Sequence, residues 1–205
     1  MKKNINDYSE VSKDFDKLIE SLNDDIKILS RFIKKDSGQV WRRAYIKTIF
    51  SSIESIIFFM KRFIKVIQKN DDLSLSETQQ KKLNEYYVIK TIHGKSRKNN
   101  YRLSFLDNVA FTIELFAYSN YIFMSIDKKC KGWKCLESSI KIRNRITHPK
   151  CSSDIFIDDP EINKVYQAYK WFYKTVIDLF YDSSKTLMAQ VDGLENAFSN
   201  TKESN

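Results

Sequence analysis

The chain has 205 residues, of which 42% are hydrophobic and 14% aromatic, and this composition argues against general disorder. Only 4 glycines and 2 prolines leave little turn chemistry for a protein of many short strands, so a single domain of long helices is expected. Lysine and arginine number 35 against 26 acidic residues, and the formal net charge of +9 favours a polyanionic partner such as nucleic acid, although a basic surface can also serve solubility alone.

Apolar residues at helical spacing predict two long helices in the first third of the chain. The first runs from Ser9 to about Lys35 and the second from about Val40 to Lys69, with Ser37 and Gly38 between them. The segment 56–60, IIFFM, is apolar nearly all round the helix. The second helix is therefore expected at the centre of a bundle.

The middle of the chain predicts two further helices separated by a loop. Ser76 followed by Gln79 forms a capping-box pattern that opens a short helix through Tyr86 and Val88. Segment 91–102, TIHGKSRKNNYR, has the composition of a solvated loop. A fourth helix is predicted from about Ser104 to Met124.

A fifth helix is predicted from about Gly132 to His148, because Pro149 disfavours helical geometry at the residue before it. Pro160, behind an aspartate cap, opens a last helix to about Met188. Residues 1–191 are expected to form one all-α domain of about six helices, followed by a flexible tail over residues 192–205. The expected core positions include Leu18 in the first helix and Tyr118 in the fourth.

Several classes of protein are disfavoured by what the sequence lacks. The N-terminal segment carries no apolar stretch typical of a signal peptide, and no window is apolar enough to span a bilayer, so a cytoplasmic protein without a membrane partner is expected. Cys130, Cys135 and Cys151 are odd in number and lack metal-site spacing. They are predicted to be reduced thiols, with no metal and no cofactor.

The stretch Arg143-Asn144-Arg145-Ile146-Thr147-His148 holds one of only two histidines in the chain. Arg143 and His148 lie about 140° apart on an ideal helix, so they converge only if the last turn unwinds or a large ligand bridges them. Histidine exchanges protons near neutral pH, and arginine binds phosphate oxygens while keeping its charge. The pair therefore suits RNA cleavage by internal attack of the ribose 2'-hydroxyl, whereas the plainer alternative is a histidine that complements a helix C-terminus.

This stretch resembles the signature of the HEPN superfamily, which is an arginine, then a polar residue that is often asparagine, and a histidine at the end of a gap of four to six residues. The resemblance extends over about Trp41 to Phe180, and it implies a bundle around four core helices. Many family members are metal-independent endoribonucleases in toxin or phage-defence systems, and they frequently dimerise with the motif helices facing each other across a cleft. By position the resemblance assigns the catalytic roles to Arg143 and His148, with Asn144 as the polar partner.

Family members often carry an acidic residue on an earlier core helix that contacts the motif. Glu54, an isolated charge in an apolar helix, is the candidate here, and it is expected to be partly buried and to orient Arg143 or Arg145. A second copy would supply a second imidazole to the cleft, because His93 lies in a loop where a surface role is favoured.

Basic residues near the motif and in the central loop are candidate RNA contacts. Lys141, Arg145 and Lys150 flank the motif and are the better candidates, whereas the loop residues have solvation as an equal alternative. The resemblance also implies an antitoxin or regulatory protein as a possible partner. HEPN toxins that are silenced by nucleotidyltransferase antitoxins commonly carry a tyrosine two residues after the motif histidine as the acceptor of adenylyl groups. Lys150 occupies that position here, so regulation by that route is disfavoured. A non-catalytic module that binds RNA, nucleotide or a partner protein stays open as the alternative function. The loop candidates are Lys95, Arg97, Lys98 and Arg102.

Overall fold

The computed structural model describes residues 2–36, 38–70, 73–90 and 96–202, and 78% of these described residues are helical. Six α-helices and one two-stranded sheet are present in the described ranges, so the predicted all-α class is confirmed. The elements in chain order are α1 (Lys2–Lys35), α2 (Gln39–Asn70), α3 (Glu77–Asn84), β1 (Tyr86–Lys90), β2 (Ser96–Asn100), α4 (Phe105–Ser119), α5 (Lys131–Thr147), a short 3-10 helix (Ser152–Ile155) and α6 (Asp159–Lys202).

Helix α2 occupies the centre of the bundle, as its apolar composition predicts. Most of its side chains from Tyr45 to Val66 are buried. Helix α1 packs antiparallel to it, since Phe32 stacks on Trp41 at 4.6 Å between ring centroids while Tyr8 contacts the ring of Phe63 at 5.1 Å.

Helices α4 and α6 run parallel to α2. The ring of Phe63 on α2 contacts Phe116 on α4 at 6.5 Å and Phe180 on α6 at 5.8 Å. Phe15 of α1 joins the same cluster, 5.6 Å from Phe180. These four phenylalanines join four helices at one end of the bundle, and their packing contributes to the apolar core.

Helix α5 packs antiparallel to α6 through an unusually close approach at its first turn. A Cβ atom on Gly132 would lie 2.0 Å from the ring of Trp171, so only glycine fits there. The next residue, Trp133, meets Trp171 edge to face at 5.9 Å. This contact fixes the first turn of α5 against α6. It thereby also limits where the motif at the C-terminal end of α5 can lie.

The short third helix ends earlier than predicted. Glu85, in the left-handed region with φ of 60°, stops α3 after Asn84, and Tyr86 and Val88 lie in β1 instead. Strand β1 pairs antiparallel with β2, so the segment predicted as a loop is partly a hairpin. The aromatic and β-branched run YYVI favours a strand, and this preference prevails over the helical spacing used in the prediction.

Three further boundaries differ from the prediction. Helix α1 begins at Lys2 rather than Ser9. Helix α4 ends at Ser119 rather than Met124, because Asn120 leaves helical geometry and Tyr121 adopts a positive φ of 58°. Helix α6 continues beyond Met188 to Lys202, so the mobility of residues 192–205 stays a prediction.

Two positions expected in the core are exposed, Leu18 and Tyr118. In the described part of the chain, no helix combines the length and the apolar character needed to cross a membrane.

Candidate functional site

The motif lies at the C-terminal end of α5, where the helix opens as predicted from Pro149. The helix extends through Thr147, and His148 caps it with φ of −128° and ψ of 62°, outside helical geometry. The backbone N–H of His148 still donates to the carbonyl of Asn144 at 3.0 Å, and the Thr147 hydroxyl donates to the carbonyl of Arg143 at 2.7 Å. The side chain of His148 is exposed to solvent.

Arg143 has three contacts that fix the plane of its guanidinium. Its Nη2 donates to Glu54 Oε1 at 2.9 Å, and its Nη1 donates to Asn144 Oδ1 at 3.2 Å. The guanidinium carbon lies 5.8 Å from the centre of the Phe50 ring on α2. With 32% of the side chain exposed, Arg143 is oriented and still accessible to a ligand.

The predicted contact between Glu54 and the motif is present, and Arg143 is the partner. Glu54 and Phe50 are four residues apart on α2 and share one face of that helix, so a single arginine reaches both. The Glu54 side chain is 49% exposed, which is more open than the partly buried carboxylate expected from the sequence.

Arg145, two residues further on, is engaged by the protein itself. Its Nη2 donates to both carboxylate oxygens of Glu161, at 2.6 Å and 2.7 Å. Its Nη1 donates to the carbonyl of Phe156 at 2.9 Å and lies 3.4 Å from that of Ser153. Arg145 therefore links the end of α5, the following turn and the start of α6, and its predicted contact with substrate stays a prediction.

The turn after His148 is organised by Asp154. Its Oδ2 accepts from the backbone N–H of Lys150 at 2.7 Å and from that of Cys151 at 3.3 Å. The hydrogen bond from Lys150 is the largest cause of a lowered pKa for the Asp154 carboxyl. This turn begins directly after Pro149, so its hydrogen bonds constrain the backbone that follows His148 in the chain.

The remaining predicted RNA contacts are dispersed over the surface. Lys141 and Lys150 are exposed near the motif, and Arg97 and Lys98 are exposed on β2, where Lys98 lies 4.5 Å from the centre of the Tyr86 ring. Arg102 is exposed between β2 and α4. Lys95 and His93 lie outside the described residues.

Several residues near the motif were not identified from the sequence. Asp158 and Glu161 form a capping pattern at the start of α6 that the sequence does carry, with the Glu161 N–H donating to Asp158 Oδ1 at 2.8 Å. Arg43 and Lys47 lie on α2 within about 40° of Glu54 around the helix axis. Lys47 is exposed, and Arg43 Nη1 donates to the carbonyl of Ile155 at 3.0 Å.

The three cysteines are free, with Cys151 exposed and the other two half-buried. Within the described ranges, no group of three or more histidine, cysteine or acidic side chains is arranged to hold a metal ion.

Comparison with protein-family models, curated proteins and solved structures finds no match.

Proposed function

We propose that the chain is a HEPN-type endoribonuclease that cleaves RNA without a metal ion, in a bacterial toxin or phage-defence system. The observation that supports this most strongly is that an oriented, accessible arginine and an exposed histidine both lie in the last turns of one helix. Arg143 is held by Glu54 at 2.9 Å, and His148 leaves helical geometry five residues later.

The proposed reaction is an internal transfer at phosphorus. His148 accepts the proton of the ribose 2'-hydroxyl, the 2'-oxygen bonds to phosphorus, and the bond from phosphorus to the 5'-oxygen breaks. The products are a 2',3'-cyclic phosphate and a 5'-hydroxyl, and an acid must deliver a proton to the leaving 5'-oxygen. Arg143 stabilises the charge that develops on the phosphorane oxygens.

The need for both a base and an acid favours a dimer, because the motif provides one histidine per chain. A two-fold axis near His148 would place a second imidazole at the same phosphate. Phe58, one helical turn beyond Glu54, is 58% exposed and offers an apolar contact on this side of α2. Lys47 and Lys141, both exposed, are proposed to contact flanking phosphates.

The first experiment measures cleavage of single-stranded and tRNA-like RNA in excess EDTA and identifies the product ends. The proposal predicts a 2',3'-cyclic phosphate, and a substrate with a single 2'-deoxy nucleotide should resist cutting at that position. His148→Ala should lower the cleavage rate by at least about 10²-fold, the usual effect of removing a general base. Retention of the parental rate by this variant would refute the assignment.

Arg143→Lys and Glu54→Gln separate charge from orientation. Lysine keeps the charge but cannot reproduce the planar contacts with Glu54 and Asn144, so a lower rate with unchanged RNA affinity is expected. Glu54→Gln keeps the shape and removes the ion pair, and a smaller loss is expected. If RNA binds to the purified protein and no condition yields cleavage, the alternative of a non-catalytic RNA-binding module is favoured instead.

A further inference from the structure

A surface cavity along the first half of α5, beside α6, is lined mainly by lysines, and the proposed mechanism does not use it. Its volume is about 390 Å³. Most of the lining side chains are lysines, and the others are a half-buried cysteine and a half-buried serine. The lining residues are Lys129, Lys131, Lys134, Cys135, Ser138 and Lys164.

The lysines of this cavity carry positive charge that the protein does not neutralise. All of them are exposed, and in the described part of the chain the lysines that form ion pairs are others. The acids nearest to them in the sequence are Asp127 and Glu137. Asp127 Oδ1 accepts from the backbone N–H of Lys129 at 2.8 Å, and Glu137 is exposed on α5. Even with both acids counted, the local charge stays positive, which suits an anionic ligand.

The placement of these lysines is unfavourable for α5 itself. A helix N-terminus carries a partial positive charge, and α3, α4 and α6 each have an acidic residue in the first turn, which is the favourable arrangement. Helix α5 has no acid in its first turn and begins with Lys131, with Lys134 one turn later. Departures from such local rules are expected at functional sites, and an anion bound in the cavity would supply the missing negative charge.

The lysines continue along α5 towards the motif. On an ideal helix, Lys131, Lys134 and Lys141 lie within about 80° of one another around the axis. His148 follows Lys141 by two turns, and its N–H still bonds to the carbonyl of Asn144, so its Cα lies within about 20° of Lys141 around the axis. Along the axis, Lys131 and His148 are about 25 Å apart. One face of α5, the lysine face, therefore connects the cavity to the motif.

The chemistry of the cavity is suited to phosphate groups and not to bases. Lysine is a compact point charge and lacks the planar fork with which arginine recognises one group in a fixed orientation. The described lining residues include no aromatic ring on which a base could stack. A small anion cannot contact Lys131 and Lys141 at once, because they are about 15 Å apart along the axis. An RNA strand can, since each of its nucleotides carries a phosphate.

We propose that the cavity and the lysine face of α5 bind the sugar-phosphate backbone of RNA to one side of the bond being cut. The inference rests on the proposed function in taking RNA as the ligand and His148 as the place of cleavage. It adds a contact surface that does not depend on the RNA sequence and that extends the bound strand by about 25 Å beyond the motif.

The test measures binding of fluorescent oligo(U) to full-length protein carrying His148→Ala, by anisotropy over a series of salt concentrations. For a single strand, each phosphate contact contributes about 0.7 to the slope of log affinity against log salt concentration. The cavity variant adds Lys131→Gln, Lys134→Gln and Lys164→Gln. It should bind more weakly, with a slope that is flatter by about 2. A slope equal to that of the parent would overturn the inference.

A matched variant separates a local site from the effect of net charge. Lys13→Gln, Lys17→Gln and Lys35→Gln remove the same charge from exposed positions of α1, and this variant should keep the parental slope. Equal flattening in the two variants would assign the effect to net charge and refute the site.

The identity of the base provides a second check on the kind of contact. Oligo(A) should lose as much affinity as oligo(U) in the cavity variant, because phosphates and not bases are bound. A loss confined to one of the two oligonucleotides would contradict backbone recognition.

Thermal stability separates RNA binding from a structural role of the lysines. Because the lysines repel one another and the positive end of α5, the cavity variant should melt at or above the parental temperature. A lower melting temperature together with the parental slope would assign these lysines to folding instead.

Cleavage and backbone binding can fail independently. If no RNA is cut but the cavity variant alone flattens the slope, the binding face stands and the ribonuclease proposal falls. If RNA is cut and the cavity variant binds long strands with the parental affinity and slope, the binding face is refuted and the ribonuclease proposal stands.

Discussion

Arg143 and Arg145 are two residues apart on α5, but their different contacts suit them to different roles. Arg143 contacts one oxygen of a half-exposed carboxylate and keeps donors free for a ligand. Arg145 uses both of its terminal nitrogens on Glu161 and on the carbonyls of the following turn. The first is suited to bind phosphate, and the second to hold the end of the helix in place.

The structural role of Arg145 can be measured as a coupling energy with Glu161. Their side chains are 29% and 22% exposed, and Nη2 of Arg145 donates to both carboxylate oxygens of Glu161, so a double-mutant cycle with alanine should give a coupling of about 1–3 kcal/mol in the free energy of unfolding. Urea denaturation of the four proteins measures it. The exposed pair Lys174 and Asp178 is the control and should couple by at most about 0.5 kcal/mol. A similarly small value for Arg145 and Glu161 would contradict the structural role.

Spacing in the sequence identifies the motif residues but not their partners. Arg143 and His148 can be proposed from the sequence because histidine is rare in the chain and the stretch resembles a family signature, and their catalytic roles stay predictions. Glu54 is a candidate from the sequence because it is a lone charge in an apolar helix. Its contact with Arg143 rather than Arg145 depends on how α5 packs on α2, which the sequence does not show. Glu161 carries a capping signal, but nothing in the sequence indicates that it also receives Arg145.

At the scale of elements, the motif is defined by how α5 ends. Pro149 stops the helix, Asp154 holds the turn that follows, and the two together bracket His148. The Asp154 carboxylate accepts two backbone hydrogen bonds in this turn, so its ionisation links the geometry of the turn to pH.

The pH dependence of the turn has a defined sign. Because the folded-state pKa of Asp154 is lowered from its usual 3.8, its contribution to stability is complete above that pH and is lost as the pH falls through the lowered folded-state value. The melting-temperature difference between the parent and Asp154→Asn should therefore be largest near neutral pH and shrink below about pH 4. Asp25→Asn, on the exposed surface of α1, should leave the melting temperature unchanged. A difference for Asp154→Asn that does not change with pH would contradict this account.

The long helices are predictable from the sequence, and the hairpin is not. The apolar periodicity of α2 and α6 extends over many turns, so local exceptions do not alter the assignment. The run after Asn84 is short and matches a helix in spacing and a strand in composition. Its pairing with β2 depends on residues beyond Lys90, which a local pattern does not contain.

At the scale of the whole molecule, the two ends of the bundle differ in chemistry. One end is joined by the phenylalanine cluster around Phe63 and Phe180. Towards the other end, Arg42 pairs with Asp159, and Gln39 Oε1 accepts from the backbone N–H of Ile157 at 2.7 Å. The motif lies towards this polar end, and its His148 is exposed to solvent.

Dimerisation through the motif side is testable at Phe58. Phe58→Glu places a charge on the proposed contact, so it should raise the dimer dissociation constant and lower cleavage most at low protein concentration. Analytical ultracentrifugation and the concentration dependence of the specific rate measure the two effects. Met188→Glu, at an exposed apolar position of α6, is the control and should change neither. A parent whose specific rate does not change on dilution while it sediments as a monomer would contradict the dimeric site.

The most direct test is the RNA cleavage rate in EDTA of four proteins: the parent, Arg143→Ala, His148→Ala and the double variant. Because base and cation act on one phosphate, each single change should cost about 10²–10⁴-fold, and the double variant should be little slower than the worse single variant. All four should keep the circular dichroism and melting behaviour of folded protein. Cleavage at the parental rate by either single variant, or losses that multiply fully in the double variant, would contradict joint action of Arg143 and His148 on the scissile phosphate.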